Sequence, residues 1–459
     1  MNLILKTIKI KIAILGVFGL LLLTLLGCSK DSITPPPPDV GFIEEPIEEQ
    51  KLPLEELLEI VQQKTFNYFW DFAETNSGMA KERSQPDAYE GQSSRLIATG
   101  GSGFGIACFP VAVTRGWITR EDAIQRMDKI LSWLENADKF HGAFAHWYYG
   151  DTGKVRPFSE KDNGGDIVET AFLMQGLLIN RQFFSNNNTA ENAIRNRITA
   201  LWEAVEWDWY ARDNKILMWH WSPNYDFQMG MSVGGWNEAL MAHILAAASP
   251  THGLDKEAYE KGWGNSGGKM INGNTFYGIF QPLGIDRGGP LFWAHYSFIG
   301  LDPRGLSDQY ANYFEQNKAH TLINYNYCME NPKNYKGYGG DSWGLTSSDN
   351  HLGYGGHEPG NDLGVIAPTA ALSSFPYTPV ESQKALEYFY YEKKDDLWGP
   401  YGFYDAFSEH HDWVANGYIA IDQGPIVAMI ENYRTQLLWN LFMQDQDVIN
   451  GLTKLGFNF

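Results

Sequence analysis

The chain has 459 residues and a formal net charge of −20, with 55 acidic against 35 basic side chains. This excess of negative charge argues against nucleic acid and against a polyanionic sugar as the ligand, because both need basic partners. Aromatic residues make up 14% of the chain and include 16 Trp. Since Trp and Tyr present a flat apolar face with a polar tip, the composition favours a neutral carbohydrate ligand.

The N-terminus has the features of an export signal. A lysine-containing segment precedes an apolar run over residues 12–26, which is shorter than a typical membrane-spanning helix. The run ends in Leu-Leu-Gly-Cys28, which resembles the lipobox of bacterial lipoproteins, where the signal is cut before a cysteine that is then lipidated. We therefore predict that residues 1–27 are a signal peptide. Lipid on Cys28 would anchor the protein to the outer membrane of a Gram-negative bacterium, on its periplasmic or surface face.

Residues 28–50 contain four consecutive prolines and an acidic stretch, a composition typical of an extended tether. Residues 51–459 then form the predicted folded domain. Its two cysteines, Cys108 and Cys328, lie in apolar or helical segments and are interpreted as buried thiols, although the sequence leaves a disulfide open. No cluster of Cys and His has the spacing of a zinc site.

Apolar residues recur with the helical period through most of the domain. We predict a Gly/Ser-rich turn at 94–105 and a helix that begins after Thr119, with Asp122 completing its cap. Further helices are predicted at 54–73, 165–184, 189–206, 234–248, 291–299, 307–330, 366–372, 379–392 and 424–445, with a short one after Gln446.

Strand signals are sparse and short, at 143–149 and 215–221. Helices joined in pairs favour an all-α toroid, in which loops at one end build a cleft. The long loops at about 208–233, 264–290 and 332–363 are the expected place for a binding site.

Acidic residues stand at the start of three predicted helices. Asp162, Asp166 and Glu169 surround a turn that leads into a helix apolar on nearly every side. Glu238 follows two glycines before another apolar helix, and Asp422 precedes Pro425 at the start of the last long helix. Each acid alone is explained by the preference of helix N-termini for negative charge. If the helices close into a ring, however, all three helix starts can face one cleft.

Glycoside hydrolysis requires such carboxyl groups. One carboxylic acid protonates the leaving oxygen, and a second carboxylate activates water or attacks the sugar directly. Burial and neighbouring negative charges keep the acid protonated near neutral pH.

Three motifs together resemble glycoside hydrolase family 144, the bacterial β-1,2-glucanases within a wider glycoamylase-like group. They are Asp162-Asn-Gly-Gly-Asp166-Ile-Val-Glu169, Gly234-Gly-Trp-Asn-Glu238 and Ile421-Asp422-Gln-Gly-Pro425. The resemblance implies an (α/α)6 toroid that hydrolyses β-1,2-linked glucose chains with inversion, without a metal or organic cofactor. We also expect a monomer.

The resemblance also implies residue roles. Glu238 resembles the general acid and Asp422 the base, which in related enzymes acts through a substrate hydroxyl. Asp162, Asp166 and Glu169 match an acidic cluster needed for activity.

Aromatic and polar residues near these motifs are candidates for sugar binding, because a sugar ring can lie on an aromatic face. For each of them alone, packing in the core is the competing interpretation. The candidates are Arg95, Phe104, Trp236, His295, Tyr296, Trp343, Tyr401 and Phe403.

Two other classes of function stay open at this point. A non-catalytic glycan-binding lipoprotein would use the aromatic residues but leave the acids unexplained. A polysaccharide lyase would need basic groups that neutralise a uronate, and the negative charge argues against it.

Overall fold

The computed structural model describes residues 51–212, 215–264 and 270–459. The predicted signal peptide at 1–27, Cys28 and the tether up to residue 50 lie outside the described residues. Within the described ranges, the search for a helix of sufficient length and apolarity to cross a membrane finds none. Residues from Leu52 to Phe459 make up one compact unit.

Helices dominate the described residues, as the apolar period predicted. A π-helical segment covers Tyr388–Glu392, and two 3-10 turns cover Leu291–Ala294 and Ser297–Ile299. The α-helices are α1 Leu54–Trp70, α2 Ala88–Gly91, α3 Thr99–Ala107, α4 Phe109–Thr114, α5 Arg120–Asn136, α6 Ile167–Phe183, α7 Thr189–Glu203, α8 Trp207–Ala211, α9 Leu240–Ala248, α10 Lys256–Lys261, α11 Tyr313–Glu330, α12 Pro368–Leu372, α13 Pro379–Glu387, α14 Lys394–Leu397, α15 Ala420–Arg434, α16 Leu437–Phe442 and α17 Gln446–Leu455.

Strands are short and antiparallel. In the described chain they form one three-stranded sheet, β1-β2-β3, and two-stranded sheets that pair β4 with β5, β6 with β7, β8 with β9, β10 with β11 and β12 with β13. Their bounds are β1 Leu96–Ala98, β2 Trp147–Tyr149, β3 Lys154–Arg156, β4 Gly165–Asp166, β5 His220–Trp221, β6 Ile271–Phe276, β7 Ile279–Leu283, β8 Ser347–Asn350, β9 Gly353–Gly356, β10 Trp398–Gly399, β11 Gly402–Phe403, β12 Phe407–Ser408 and β13 Trp413–Val414.

The predicted cap of helix α5 and the predicted state of the cysteines are both confirmed. The Thr119 side chain accepts a hydrogen bond from the backbone N–H of Asp122, and the Asp122 carboxylate accepts one in return, which gives the predicted capping box at α5. Cys108 and Cys328 are buried free thiols, as interpreted from their apolar surroundings.

The prediction of a Gly/Ser-rich turn at 94–105 is wrong in part, because residues 99–107 form helix α3. This helix is glycine-rich because it packs very close to α6. A Cβ added at Gly103 would lie 2.3 Å from the carbonyl oxygen of Phe172, and one at Gly176 would lie 2.1 Å from the carbonyl oxygen of Gly103. Packing thus overrides the low helix propensity of glycine.

Three other predicted helices differ from the structure. Segment 291–299 forms two 3-10 turns rather than a continuous helix. Helix α9 begins at Leu240, since Gly235 has a φ of +76° and the Asn237 side chain accepts a hydrogen bond from Ala239 N–H; Glu238 therefore lies in a turn. The predicted helix 424–445 begins earlier, at Ala420, and Gln436 with a φ of +65° separates α15 from α16.

Six segments contact one another in sequence. Helix α3 packs on α6, α6 on α9, α12 on α15, and α15 again on α3. Segment 291–299 joins α9 to the residues that follow α12: the backbone N–H of Met241 donates to Ser297 Oγ at 2.9 Å, and the Tyr377 hydroxyl donates to the Ala294 carbonyl at 3.0 Å. The starts of α6, α9 and α15 thereby reach a common region.

Candidate active site

A cavity of about 350 Å³ opens where these helices begin. Of the long loops expected to form the site, 208–233 contributes Trp219 and 332–363 contributes Ser347 and Tyr354, whereas the described part of 264–290 contributes no lining residue. The lining residues are Glu82, Arg83, Tyr89, Ala98, Gly101, His146, Trp147, Phe158, Val168, Glu169, Phe172, Trp219, Glu238, Phe292, Tyr296, Ser347, Tyr354, Ile419 and Ile421.

The first acidic cluster combines a helix cap with two histidines. Asp166 caps α6, because its Oδ1 accepts hydrogen bonds from the backbone N–H groups of Val168 and Glu169 at 3.0 and 2.9 Å. Its Oδ2 lies 3.3 Å from both His146 Nδ1 and His220 Nε2. The register of β4 and β5, which places His220 opposite Asp166, brings the second histidine into the cluster.

Asp162 shares both histidines, with Oδ2 at 3.6 Å from His146 Nδ1 and 3.3 Å from His220 Nε2. Although burial disfavours charge, these nearby histidines hold the pKa of Asp162 and of Asp166 below the usual range. The negative charges in turn outweigh desolvation at the histidines, raising the pKa of His220 to about 9 and that of His146 well above its usual value. At neutral pH the cluster therefore holds two imidazolium–aspartate pairs.

His146, Asp162 and Asp166 offer possible metal-ligand atoms that all lie within 4.8 Å of one another. A metal ion could be held there only if the histidines gave up their protons, because an imidazolium nitrogen cannot coordinate. The raised histidine pKa values oppose this at neutral pH. The absence of a metal cofactor stays a prediction.

Glu169 faces the cavity from the first turn of α6. Its Oε2 accepts a hydrogen bond from the backbone N–H of Gly100 at 2.6 Å, which ties α6 to α3. Burial, opposed by His146 and reinforced by the charge of Asp166, raises the pKa of Glu169 to about 7.

Glu238 lies on the cavity wall in the turn before α9. Burial raises its pKa to about 7, with further contributions from the negative charges of Asp166 and Glu169. A carboxyl group with this pKa carries a proton for part of the time at neutral pH and can act as a general acid.

Asp422 is buried in the first turn of α15, beside the lining residues Ile419 and Ile421. The Tyr296 hydroxyl, which also lines the cavity, donates to Asp422 Oδ1 at 3.2 Å. Burial raises the pKa of Asp422 to about 7, although hydrogen bonds from Asp405 and Tyr296 oppose that rise. Asp422 is therefore suited to accept a proton near neutral pH.

Aromatic side chains form one side of the cavity. The ring of Phe158, which is 48% exposed, stacks on His146 at a centroid distance of 4.2 Å. Trp147 contacts Phe158 at 4.7 Å and Tyr89 at 5.0 Å. Such faces can carry sugar rings.

Of the eight predicted sugar-binding residues, only Tyr296 belongs to the described cavity lining. Arg95 forms a surface ion pair with Asp151, and Phe104 is buried against Phe172 and Tyr296. The other five have core contacts: Trp236 with Trp263, His295 with Ser374, Trp343 with Tyr325, Tyr401 with Tyr68, and Phe403 with Phe389.

Sequence reasoning did not find His146, His220, Arg83 or Phe158. A signal existed for the two histidines, since each stands among aromatic residues, in Ala-His146-Trp and in Trp-His220-Trp. Phe158 and Arg83 stand in loops without any pattern that distinguishes them.

The comparison with family models matches residues 230–446 to the Glycoamylase family, described as "Putative glucoamylase". This range includes Glu238 and Asp422.

Individual relatives extend the match to most of the chain. The exo β-1,2-glucooligosaccharide sophorohydrolase (non-reducing end) of Parabacteroides distasonis is 47% identical over 422 residues. That alignment covers 87% of this chain but only 58% of the curated relative. A β-1,2-glucanase structure from the same organism has a TM-score of 0.84 at 46% identity, covering 88% of this chain and 60% of that one.

The endo-β-1,2-glucanase of Chitinophaga pinensis, solved with sophorotriose and glucose, has a TM-score of 0.87 at 53% identity. The match covers 89% of this chain and 99% of the solved one. With this identity over the full length of the Chitinophaga structure, and with all three acidic motifs at one cavity, the chain belongs to glycoside hydrolase family 144, the β-1,2-glucanases of the glycoamylase-like group.

Proposed function

We propose that this protein is a glycoside hydrolase that cleaves β-1,2-glucan. The observation that carries the proposal is Glu238, a half-buried carboxyl group of pKa about 7 on a cavity wall that also holds Tyr296, the hydrogen-bond partner of Asp422. The substrate is proposed from the relatives, whose names specify β-1,2-linked glucose chains or oligosaccharides.

In the proposed reaction, Glu238 donates its proton to the glycosidic oxygen as the bond to the anomeric carbon breaks. A water oxygen bonds to that carbon from the opposite face, with inversion, and Asp422 receives the water proton directly or through a substrate hydroxyl. Asp166 and Glu169 support the step because their negative charges favour the protonated form of Glu238.

We further propose that the six segments in sequential contact close as an (α/α)6 toroid with the cavity at one end. The return contact between α15 and α3 supports this arrangement, and a crystal structure would test it. We expect the protein to act as a monomer, which sedimentation analysis would test.

Outer-membrane anchoring through lipid on Cys28 is also proposed, on the basis of the lipobox sequence. Labelled fatty acid should be incorporated into the wild type and not into Cys28→Ala; incorporation into both would contradict the proposal.

Product analysis on linear β-1,2-glucan tests the activity, with other β-glucans as a panel. We expect short β-1,2 oligosaccharides from the wild type, and a loss of about 100-fold or more in kcat for Glu238→Gln, which cannot donate the proton. Glu315→Gln is the matched control, since Glu315 is an exposed glutamate at the start of α11.

A disaccharide as the sole product would indicate exo action, and a ladder of lengths would indicate endo action. Cleavage of another β-glucan in place of β-1,2-glucan would reject the linkage. Binding without cleavage of any glucan would favour the glycan-binding interpretation, and an unsaturated product would identify a lyase.

A further inference from the structure

We propose that Asp405 is a positioning residue that shares one proton with Asp422 and, as the protonated partner, donates a hydrogen bond that keeps Asp422 an ionised base. The inference rests on the proposed function, since it assigns a partner to the proposed base.

The two carboxyl groups are buried together, with exposed fractions of 2% for Asp405 and 1% for Asp422. One oxygen of each is bonded elsewhere: the backbone N–H of Asp349 donates to Asp405 Oδ2 at 2.7 Å, and the Tyr296 hydroxyl donates to Asp422 Oδ1 at 3.2 Å. The remaining oxygens, Asp405 Oδ1 and Asp422 Oδ2, are buried without a conventional donor.

The Asp405 and Asp422 carboxyl groups are close enough for each to shift the pKa of the other, and we infer that a hydrogen bond joins the two oxygens that have no other donor. Ionised carboxylates only accept hydrogen bonds, so a bond between two carboxyl groups requires a proton on one of them. The same proton removes the like-charge repulsion that two buried carboxylates would otherwise experience. The pair therefore carries one negative charge.

The surroundings place the proton on Asp405. Its pKa is raised well above the usual range by burial, by the charge of Asp422 and by the charge of Asp349, although the charge of Asp349 also raises the pKa of Asp422. Asp422 instead receives the Tyr296 hydrogen bond and the favourable field of Arg83, both of which stabilise its ionised form. The titratable or charged groups that act on the pair from neighbouring elements are Tyr68, Arg83, Tyr296, Asp349 and Tyr354. Glu82 forms an ion pair with Arg83.

Arg83 forms its ion pairs with Asp349 and Glu82. Its Nη1 lies 3.0 Å from Asp349 Oδ1, and Gln85 Nε2 donates to Asp349 Oδ2 at 2.9 Å. Asp349 is thus fixed as an ion-pair partner, and its backbone N–H orients Asp405 towards Asp422.

The test compares the pH profiles of kcat for the wild type, Asp405→Asn and Asp405→Ala on β-1,2-glucan. The amide of Asp405→Asn is uncharged, as the protonated acid is, and can both accept from Asp349 N–H and donate to Asp422. We expect its acidic limb to lie within about 0.5 pH unit of the wild-type limb.

Asp405→Ala removes the donor, so Asp422 becomes harder to ionise. The acidic limb should move up by about one pH unit, and kcat below it should fall about tenfold, while kcat on the alkaline side stays within about threefold. The protonated acid should also give a carboxylic C=O stretch at neutral pH in infrared difference spectra of wild type against Asp405→Asn.

Three results would overturn the proposal. A downward shift of the acidic limb in Asp405→Asn would mean that Asp405 is ionised in the wild type. An equal fall of kcat at every pH in Asp405→Ala would indicate packing alone. Lack of the carboxylic stretch would show that Asp405 is not protonated, and this measurement does not depend on whether Asp405→Ala folds. Failure of the wild type to cleave β-1,2-glucan would instead count against the proposed function, and the infrared result would still stand.

Discussion

At the residue scale, the structure shows ion pairs between two histidines and two aspartates at the start of α6. The sequence predicted that Asp162, Asp166 and Glu169 gather there, because they flank one turn and one helix face. It could not predict that His146 and His220 neutralise two of them, since His146 directly precedes β2 and His220 lies in β5, and only tertiary contacts bring both to Asp166.

The histidine pairs predict a pH dependence of stability. The folded pKa of His220 is about 9, above its ordinary value of 6.5. This pairing therefore stabilises the fold fully below about pH 6.5, and its contribution disappears as the pH rises through about 9.

His220→Gln should remove this dependence. The difference in unfolding free energy between the wild type and His220→Gln should be about 3 kcal/mol larger near pH 6 than near pH 9.5. Urea unfolding at both pH values measures the difference. His252→Gln, which removes a half-exposed surface pair with Asp208, is the control. A gap between His220→Gln and wild type that is the same at both pH values would contradict the assignment of His220 as an imidazolium.

At the element scale, helices with clear periods and caps were predicted well, as α1, α5, α6 and α17 illustrate. Errors arose where tertiary packing decides the backbone. Helix α3 is rich in glycine and serine, which favour turns in isolation, and segment 291–299 is apolar enough to suggest a helix but folds as two 3-10 turns.

Gly103→Ala tests how closely α3 must pack on α6. A Cβ at this position would meet the backbone of Phe172 and Leu173 at 2.3 and 2.6 Å, and backbone atoms cannot rotate away. We expect a loss of about 1–3 kcal/mol in unfolding free energy. A fall in kcat should accompany it, because α3 carries the Gly100 N–H that holds Glu169.

Denaturant unfolding and kcat measure the two effects. Gly339→Ala serves as the control, since Gly339 has open space around its Cβ position. Equal stability of the two alanine variants would show that the helices can separate without penalty.

At the scale of the whole molecule, the sequence predicted that three separate helix starts could supply one site, and the structure brings all three to the cavity. Glu169 and Glu238 line its wall, and Asp422 lies behind the lining residue Tyr296. Most predicted sugar-binding residues instead lie in the core or on the surface. Aromatic residues fill a core as readily as they line a cavity, so their proximity in sequence to the acidic motifs could not separate the two roles.

The charge of the molecule predicts its substrate range. With a net charge of −20 and acidic side chains at the cavity, the protein should repel glucans that carry negative groups. A carboxymethylated β-1,2-glucan should show a KM about tenfold above that of a hydroxyethylated glucan of equal substitution at low salt, and added salt should narrow the gap. Steady-state kinetics at two ionic strengths measure this. A gap that does not respond to salt would indicate steric exclusion instead.

The two buried cysteines of the domain bear on how the protein can be produced. The Cys108 thiol donates to the Phe104 carbonyl, and burial raises the pKa of both Cys108 and Cys328 well above the usual range. Because the thiolate is the reactive form in disulfide exchange, neither side chain takes part readily in redox chemistry while the domain is folded. Residues 51–459 should therefore mature without an oxidation step, and a reducing cytosol should serve for their expression as well as an oxidising compartment does.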